Sequence, residues 1–154
     1  MQPRTLAVLL SLAMLSMSSP SGVGAEAPRT SSLTATISTV RNRKGHIGCA
    51  LYASPEGFPD SHTAAFRQRW LRIDGKSVEC SFDRLPPGTY AFAIFHDEND
   101  NDLFDTDRLG FPKEGWATSN NVKHLLRAPT FEESRVDLPE GASIHLKVTL
   151  RYPW

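Results

Sequence analysis

The chain lacks any apolar run of about 20 residues, the length a helix needs to cross the hydrocarbon core of a bilayer. Its apolar stretch LAVLLSLAMLSM at 6–17 stops near a dozen. A basic excess is missing too: 17 Lys and Arg stand against 17 Asp and Glu. Nothing therefore favours nucleic acid or an anionic membrane surface as partner. The sequence has no G-x-S-x-G, no Cys-x-x-Cys and no His-Glu-x-x-His, and so none of the common nucleophile, redox or zinc-protease signatures. GKS at 75–77 lacks the glycine and spacing of a phosphate loop. Long helical periodicity is absent as well. These absences predict a binding or structural module, not an enzyme.

What is present begins with an export signal. Arg4 supplies a short positive segment, residues 6–17 the apolar segment, and Val23-Gly24-Ala25 the small residues of a cleavage site. Residues 1–25 therefore read as a secretory signal peptide, and no Cys follows to take a lipid anchor. Cleavage after Ala25 leaves 129 residues (154 minus 25), with no integral membrane segment and room for one domain. Only Arg4 is charged in the removed part, so 16 basic and 17 acidic residues remain, a net charge of −1. The expected destination is the periplasm or the medium. Both cysteines, Cys49 and Cys80, lie in this exported part on the apolar phase of their strands. An oxidising compartment favours a disulfide between them; two separate buried thiols are the alternative.

After a polar lead-in at 26–32 the period becomes two, the alternation of a half-buried strand. LTATISTV turns Leu33, Ala35 and Ile37 to one face, and HIGCALYA turns Ile47, Cys49 and Leu51 to one face. With the turn at 42–45, the two read as a hairpin. SPEGFPDSHTAAF is a loop with a helical turn after Asp60, RQRWLRI an edge strand, and SVECSFDRL a strand with Val78, Cys80 and Phe82 inward. TYAFAIFHD is apolar on both faces, the mark of a central, covered strand. LGFPKEGWATSNN is rich in turn formers, FEESRVDL reads as a strand, and ASIHLKVTL is the clearest alternation in the chain. The fold class is all-β: a single β-sandwich of about seven strands, immunoglobulin-like or transthyretin-like, over residues 33–151.

The central strand runs straight into HDENDNDLFDTD at 96–107, where Asp97, Glu98, Asp100, Asp102, Asp105 and Asp107 place six carboxylates within eleven residues. Calcium takes six to eight oxygens, and alternate loop residues can wrap around it. Counting Asp97 as the first loop position, Asn99, Asn101 and Asp105 fall at the third, fifth and ninth, with the Leu103 carbonyl at the seventh. That is the register of an EF-hand loop without its helices. Asp102 replaces the usual glycine at the sixth position, and Arg108 replaces the glutamate at the twelfth. Further ligands would come from Asp107 or Glu114. The alternatives are a solvated turn whose Asp and Asn side chains satisfy their own backbone, and a metal-assisted hydrolase in which His96 or Glu114 moves protons. Zinc is disfavoured, because His96 is the loop's one nitrogen donor. A structural role for His96, bonding a loop carbonyl, is the commoner fate of a strand-end histidine. In EGWATSNN, Trp116, Ser119, Asn120 and Asn121 form a candidate interaction loop for a protein or glycan partner, unless Trp116 packs as an anchor.

Four segments in this order and spacing, GFPD at 57–60, LPPGTYAFAIFHDEN at 85–99, LGFPKEG at 109–115 and SNN at 119–121, resemble the bacterial domain of unknown function 2141 family. The resemblance runs from about Leu33 to Leu150. It implies a small exported β-sandwich and no assigned activity. The family's loop usually runs His-Asp-x-Asn-x-Asn-Gly with a later Asp; His96, Asp97, Asn99, Asn101 and Asp105 match, and Asp102 stands where glycine is usual.

Overall fold

The computed structural model describes residues 29–124 and 126–153. The signal peptide expected at 1–25 and the start of the expected lead-in lie outside them. Eight strands form two sheets. The first holds β4 (Val78–Leu85), β1 (Ser31–Ser38) and β8 (Ser143–Thr149) in that order, with β1 antiparallel to β4 and parallel to β8. The second has the order β3 (Arg67–Arg72), β2 (His46–Tyr52), β5 (Gly88–Asp97), β6 (Gly115–Thr118), all antiparallel. β7 (Val136–Leu138) pairs with the start of β5 at Gly88–Tyr90.

The core lies between the sheets and is built by the period-two alternation. Leu33, Ala35 and Ile37 of β1 and Val78, Cys80 and Phe82 of β4 meet Ile47, Cys49 and Leu51 of β2 and Tyr90, Phe92 and Ile94 of β5, all buried. Each large side chain removed from water here contributes about 1.5–3 kcal/mol. Cys49 and Cys80 form a disulfide between β2 and β4, with their Cα atoms 6.7 Å apart, so it ties one sheet to the other.

β5 is covered on both sides, as its two apolar faces require. On the outer side Ala50, Tyr52, Ala91 and Ala93 pack under Phe131, with Phe58 and Ala65 completing the cover. Small residues on this face leave room for the 54–66 loop and for α1 (Phe131–Ser134) to lie close.

Three sequence expectations need correction. The β1–β2 hairpin does not form: β1 pairs with β4 and β8, and β2 with β3 and β5. Alternation reports which face of a strand is buried, not which strand lies beside it, and both strands face one core from opposite sheets. FEESRVDL is half helical. Its first turn is fixed by a capping box, in which Glu133 N–H donates to Thr130 Oγ1 and Glu133 Oε2 accepts from Thr130 N–H. The turn-rich LGFPKEGWATSNN segment contributes β6 in its second half. RQRWLRI does form an edge strand, and most of it is exposed.

Candidate functional site

The acidic loop starts from a buried carboxylate. Asp97 is the last residue of β5, and none of it is exposed. Its Oδ1 accepts the backbone N–H groups of Asn99 and Asn101 at 3.3 and 3.2 Å, and its Oδ2 that of Asp102 at 2.7 Å. A charged acceptor at a strand end thus gathers three amides that would otherwise lack partners in the turn. Asp100 and Asp102 both take left-handed backbone, each with φ 60°. Short polar side chains tolerate that region better than most. Glycine, the residue the family resemblance leads one to expect in place of Asp102, would take this backbone without a Cβ in the way.

The far end of the loop is held by Glu114, which is 4% exposed. Its two oxygens accept the N–H groups of Glu98 and Asp105, each at 3.1 Å, stapling the loop's two arms. Burial pushes the Glu114 carboxyl above the usual carboxylate range; the two N–H donors pull the other way, and the charges of Asp97 and Asp105 add to the rise. Asp107 Oδ1 accepts from Leu109 and Phe111 N–H at 2.8 and 2.9 Å, a turn of its own. Asp105 accepts the side-chain amides of Asn99 at 2.8 Å and Asn101 at 3.2 Å. Leu103 is exposed, and its N–H donates to Asn101 Oδ1 at 2.9 Å. The sequence-predicted loop residues Asn99, Asn101 and Asp105 are therefore brought together, with Asp97 at their root. Glu98 is taken up elsewhere: Arg41 grips it through both guanidinium arms and Asn42 donates to it, holding its carboxyl below the usual range.

The residue that sequence reasoning missed is His46. It opens β2, and the antiparallel register sets it directly opposite Asp97, on the same face of the sheet. Gly45 makes this approach possible. It has φ +63°, and a Cβ there would overlap the Asp97 carbonyl oxygen. The imidazole packs against the ring of Trp70, edge to face, at 4.5 Å. Its Nδ1 lies 2.5 Å from Asp100 Oδ1. Its Nε2 lies 3.2 Å from Asp97 Oδ2 and 3.2 Å from Asp102 Oδ1, yet neither contact is a hydrogen bond, and the atom is buried without a hydrogen-bond partner among the described residues. His46, Asp97 and Asp102 thus turn three potential ligand atoms toward one another, all within 4.8 Å. No sequence signal marks this, because strand pairing is not written in the alternation.

His96 faces the opposite way, into the core, and is fully buried. Its Nε2 donates to the Lys44 carbonyl at 2.8 Å, so Nδ1 meets the Tyr152 hydroxyl at 2.7 Å, and both ring nitrogens are occupied. The SNN segment is likewise engaged within the fold. Ser119 Oγ accepts from Phe92 N–H and donates to the Ser134 carbonyl, Asn120 donates to the Glu133 and Arg135 carbonyls, and Asn121 bridges Lys147 and Thr149. Trp116 is half-buried on β6 and lines a small open pocket with His62, Phe95 and Phe104.

Residues 35–146 match the model of a family described as an uncharacterized protein conserved in bacteria, DUF2141. No curated protein and no solved structure matches the chain. The match takes in β2 to β7, parts of β1 and β8, and the whole acidic loop, and the chain belongs to the DUF2141 family.

Proposed function

We propose that the protein is an exported, non-enzymatic β-sandwich module of the cell envelope or exterior, whose loop after the central strand takes a divalent cation. The loop so loaded then serves as a binding surface for a protein or glycan. The observation that carries this reading is the crowding of three carboxylates, Asp97, Asp100 and Asp102, around one imidazole. Arg41 is already committed to Glu98, so a cation is the natural counter-charge. Export is supported by the leader read in residues 1–25 and by the Cys49–Cys80 disulfide, which persists in oxidising compartments. No helix among the described residues is long and apolar enough to cross a membrane.

Calcium is the ion of a second reading, held by Asp97, Asn99, Asn101, the Leu103 carbonyl and Asp105. Its support is the proximity of the Asn99 and Asn101 side chains to Asp105, whose oxygens now accept their Nδ2 groups; calcium would need the two amides turned to present their oxygens. The test is thermal unfolding of the purified protein in chelator and in millimolar calcium, magnesium or zinc. An ion that binds the native state at 100 times its Kd adds about 2.7 kcal/mol. Coincident midpoints in all four conditions would remove the cation reading.

A further inference from the structure

Three features of His46 bear on which ion the loop takes, and the inference from them rests on the cation reading above. First, the ring is anchored through one nitrogen only. With Nδ1 hydrogen-bonded to Asp100, the proton belongs on Nδ1, since a carboxylate can only accept. Nε2 faces two carboxylate oxygens at 3.2 Å from each, and neither contact has hydrogen-bond geometry. Three potential ligand atoms converge there, and the buried Nε2 has no hydrogen-bond partner among the described residues. Second, the two spacings to Nε2, 3.2 Å each, lie close to the roughly 3.3–3.6 Å that separates tetrahedral ligands about 2.0–2.2 Å from a zinc centre, and all three atoms lie within 4.8 Å of one another. Third, the carboxylate behind the imidazole is the usual companion of a metal-bound histidine: it fixes the tautomer and raises ligand basicity.

We propose that His46 Nε2, Asp97 Oδ2 and Asp102 Oδ1 form a binding site for a first-row transition ion, zinc foremost, with Asp100 orienting the imidazole through Nδ1. Calcium and magnesium take oxygen ligands, whereas imidazole suits zinc, copper and nickel. Asp97 lies fully buried at the floor of the site, while Asp102 is 71% exposed at its mouth, so an ion enters from solvent. Three protein ligands leave a fourth position for water or for a donor from the binding partner.

The experiment uses the full chain, exported with its own leader, purified without a polyhistidine tag and stripped with chelator. Zinc binding is read by calorimetry and by unfolding midpoint, with cobalt as a spectroscopic stand-in and calcium in parallel. The expected result is one zinc per chain, resistant to excess magnesium. Asp100→Asn should weaken it about 10- to 100-fold, and His46→Gln should weaken it further while leaving any calcium shift in place. A calcium shift with no zinc binding would overturn this inference and leave the cation reading standing. No response to any ion would overturn both. Equal zinc affinity in His46→Gln and the parent would show that other groups hold the ion, and would overturn the inference. Should His46→Gln fail to fold, Asp100→Asn decides: an unchanged zinc affinity there overturns the site.

Discussion

Replacing Asp97 by alanine tests whether the loop is built on that carboxylate or on an ion. Asp97 accepts three backbone N–H groups, from Asn99, Asn101 and Asp102. A hydrogen bond to a charged group contributes about 1.5–3 kcal/mol, so three unshared bonds would sum to about 5–9 kcal/mol. Two effects reduce that figure. The three bonds share one carboxylate, and Asn99, Asn101 and Asp102 are exposed residues whose amides take up water once the acceptor is gone. Removing one of several crowded negative charges also offsets part of the loss. The expected cost is about 3 kcal/mol, a fall in unfolding midpoint of roughly 10–15 °C. Asp97→Asn keeps one carbonyl oxygen and presents its amide to one group of donors, so it should cost about half as much. Both are measured in chelator, by urea and thermal unfolding. A variant within about 0.5 kcal/mol of the parent would refute the reasoning. So would a loss that appears only when a cation is added, because the ion and not the carboxylate would then be shaping the loop.

Asp102→Gly should raise stability in chelator by up to about 1 kcal/mol, since the residue sits at φ 60° where only glycine is free of Cβ strain, while zinc titration shows weaker binding. Lower stability in chelator would count against that account of the family's glycine. Converting both Cys49 and Cys80 to alanine opens a loop of 31 residues in the unfolded chain and should cost roughly 3–4 kcal/mol by the chain-entropy relation, measured by urea unfolding against the oxidised parent. Arg127, with the Thr130 N–H and hydroxyl and His124, holds the Glu133 carboxyl well below the usual range. A depressed carboxyl stabilises the fold above its unfolded pKa and loses that effect as pH falls through its folded value. The stability gap between the parent and Glu133→Gln should therefore be full at pH 7 and shrink below about pH 4.5; a gap that widens on acidification would contradict the pairing.

How the strands face was legible in the sequence, and how they pair was not. Leu33, Ala35 and Ile37, or Val78, Cys80 and Phe82, announce a buried face because a sheet with one wet side forces period two. The double-sided apolarity of TYAFAIF likewise foretold a covered strand, and Phe131 and Phe58 supply the cover. No such pattern states that β1 lies beside β8, in parallel, at the far end of the chain. β7 is three residues long, too short for alternation to register. The same gap hid His46. As the polar residue opening an otherwise apolar strand it looked unremarkable, and only the β2–β5 register sets it against Asp97. The acidic loop was visible as a charge anomaly, but which acids are structural could not be read from spacing, because that depends on where each backbone amide points.

That division of labour explains why the central strand ends in like charge. Asp97, Asp107 and Glu114 turn oxygens toward backbone N–H groups, and Asp105 receives the Asn99 and Asn101 amides. These acids shape the loop as an acceptor-rich frame, and in water such bonds need no ion. Asp100 and Asp102 donate nothing to that frame through their side chains; they turn to His46 instead. The two sets meet at Asp97, whose Oδ2 serves the Asp102 N–H on one side and faces Nε2 on the other. On the proposed reading, a cation arriving there would find its ligands already placed, so little of its binding energy would go into ordering the chain. The expected signature is therefore an ion that raises the unfolding midpoint without changing the fold of the sandwich. Coupled ordering of residues 97–115 on binding, seen as new amide protection across the whole loop, would mean that the frame is not formed in advance.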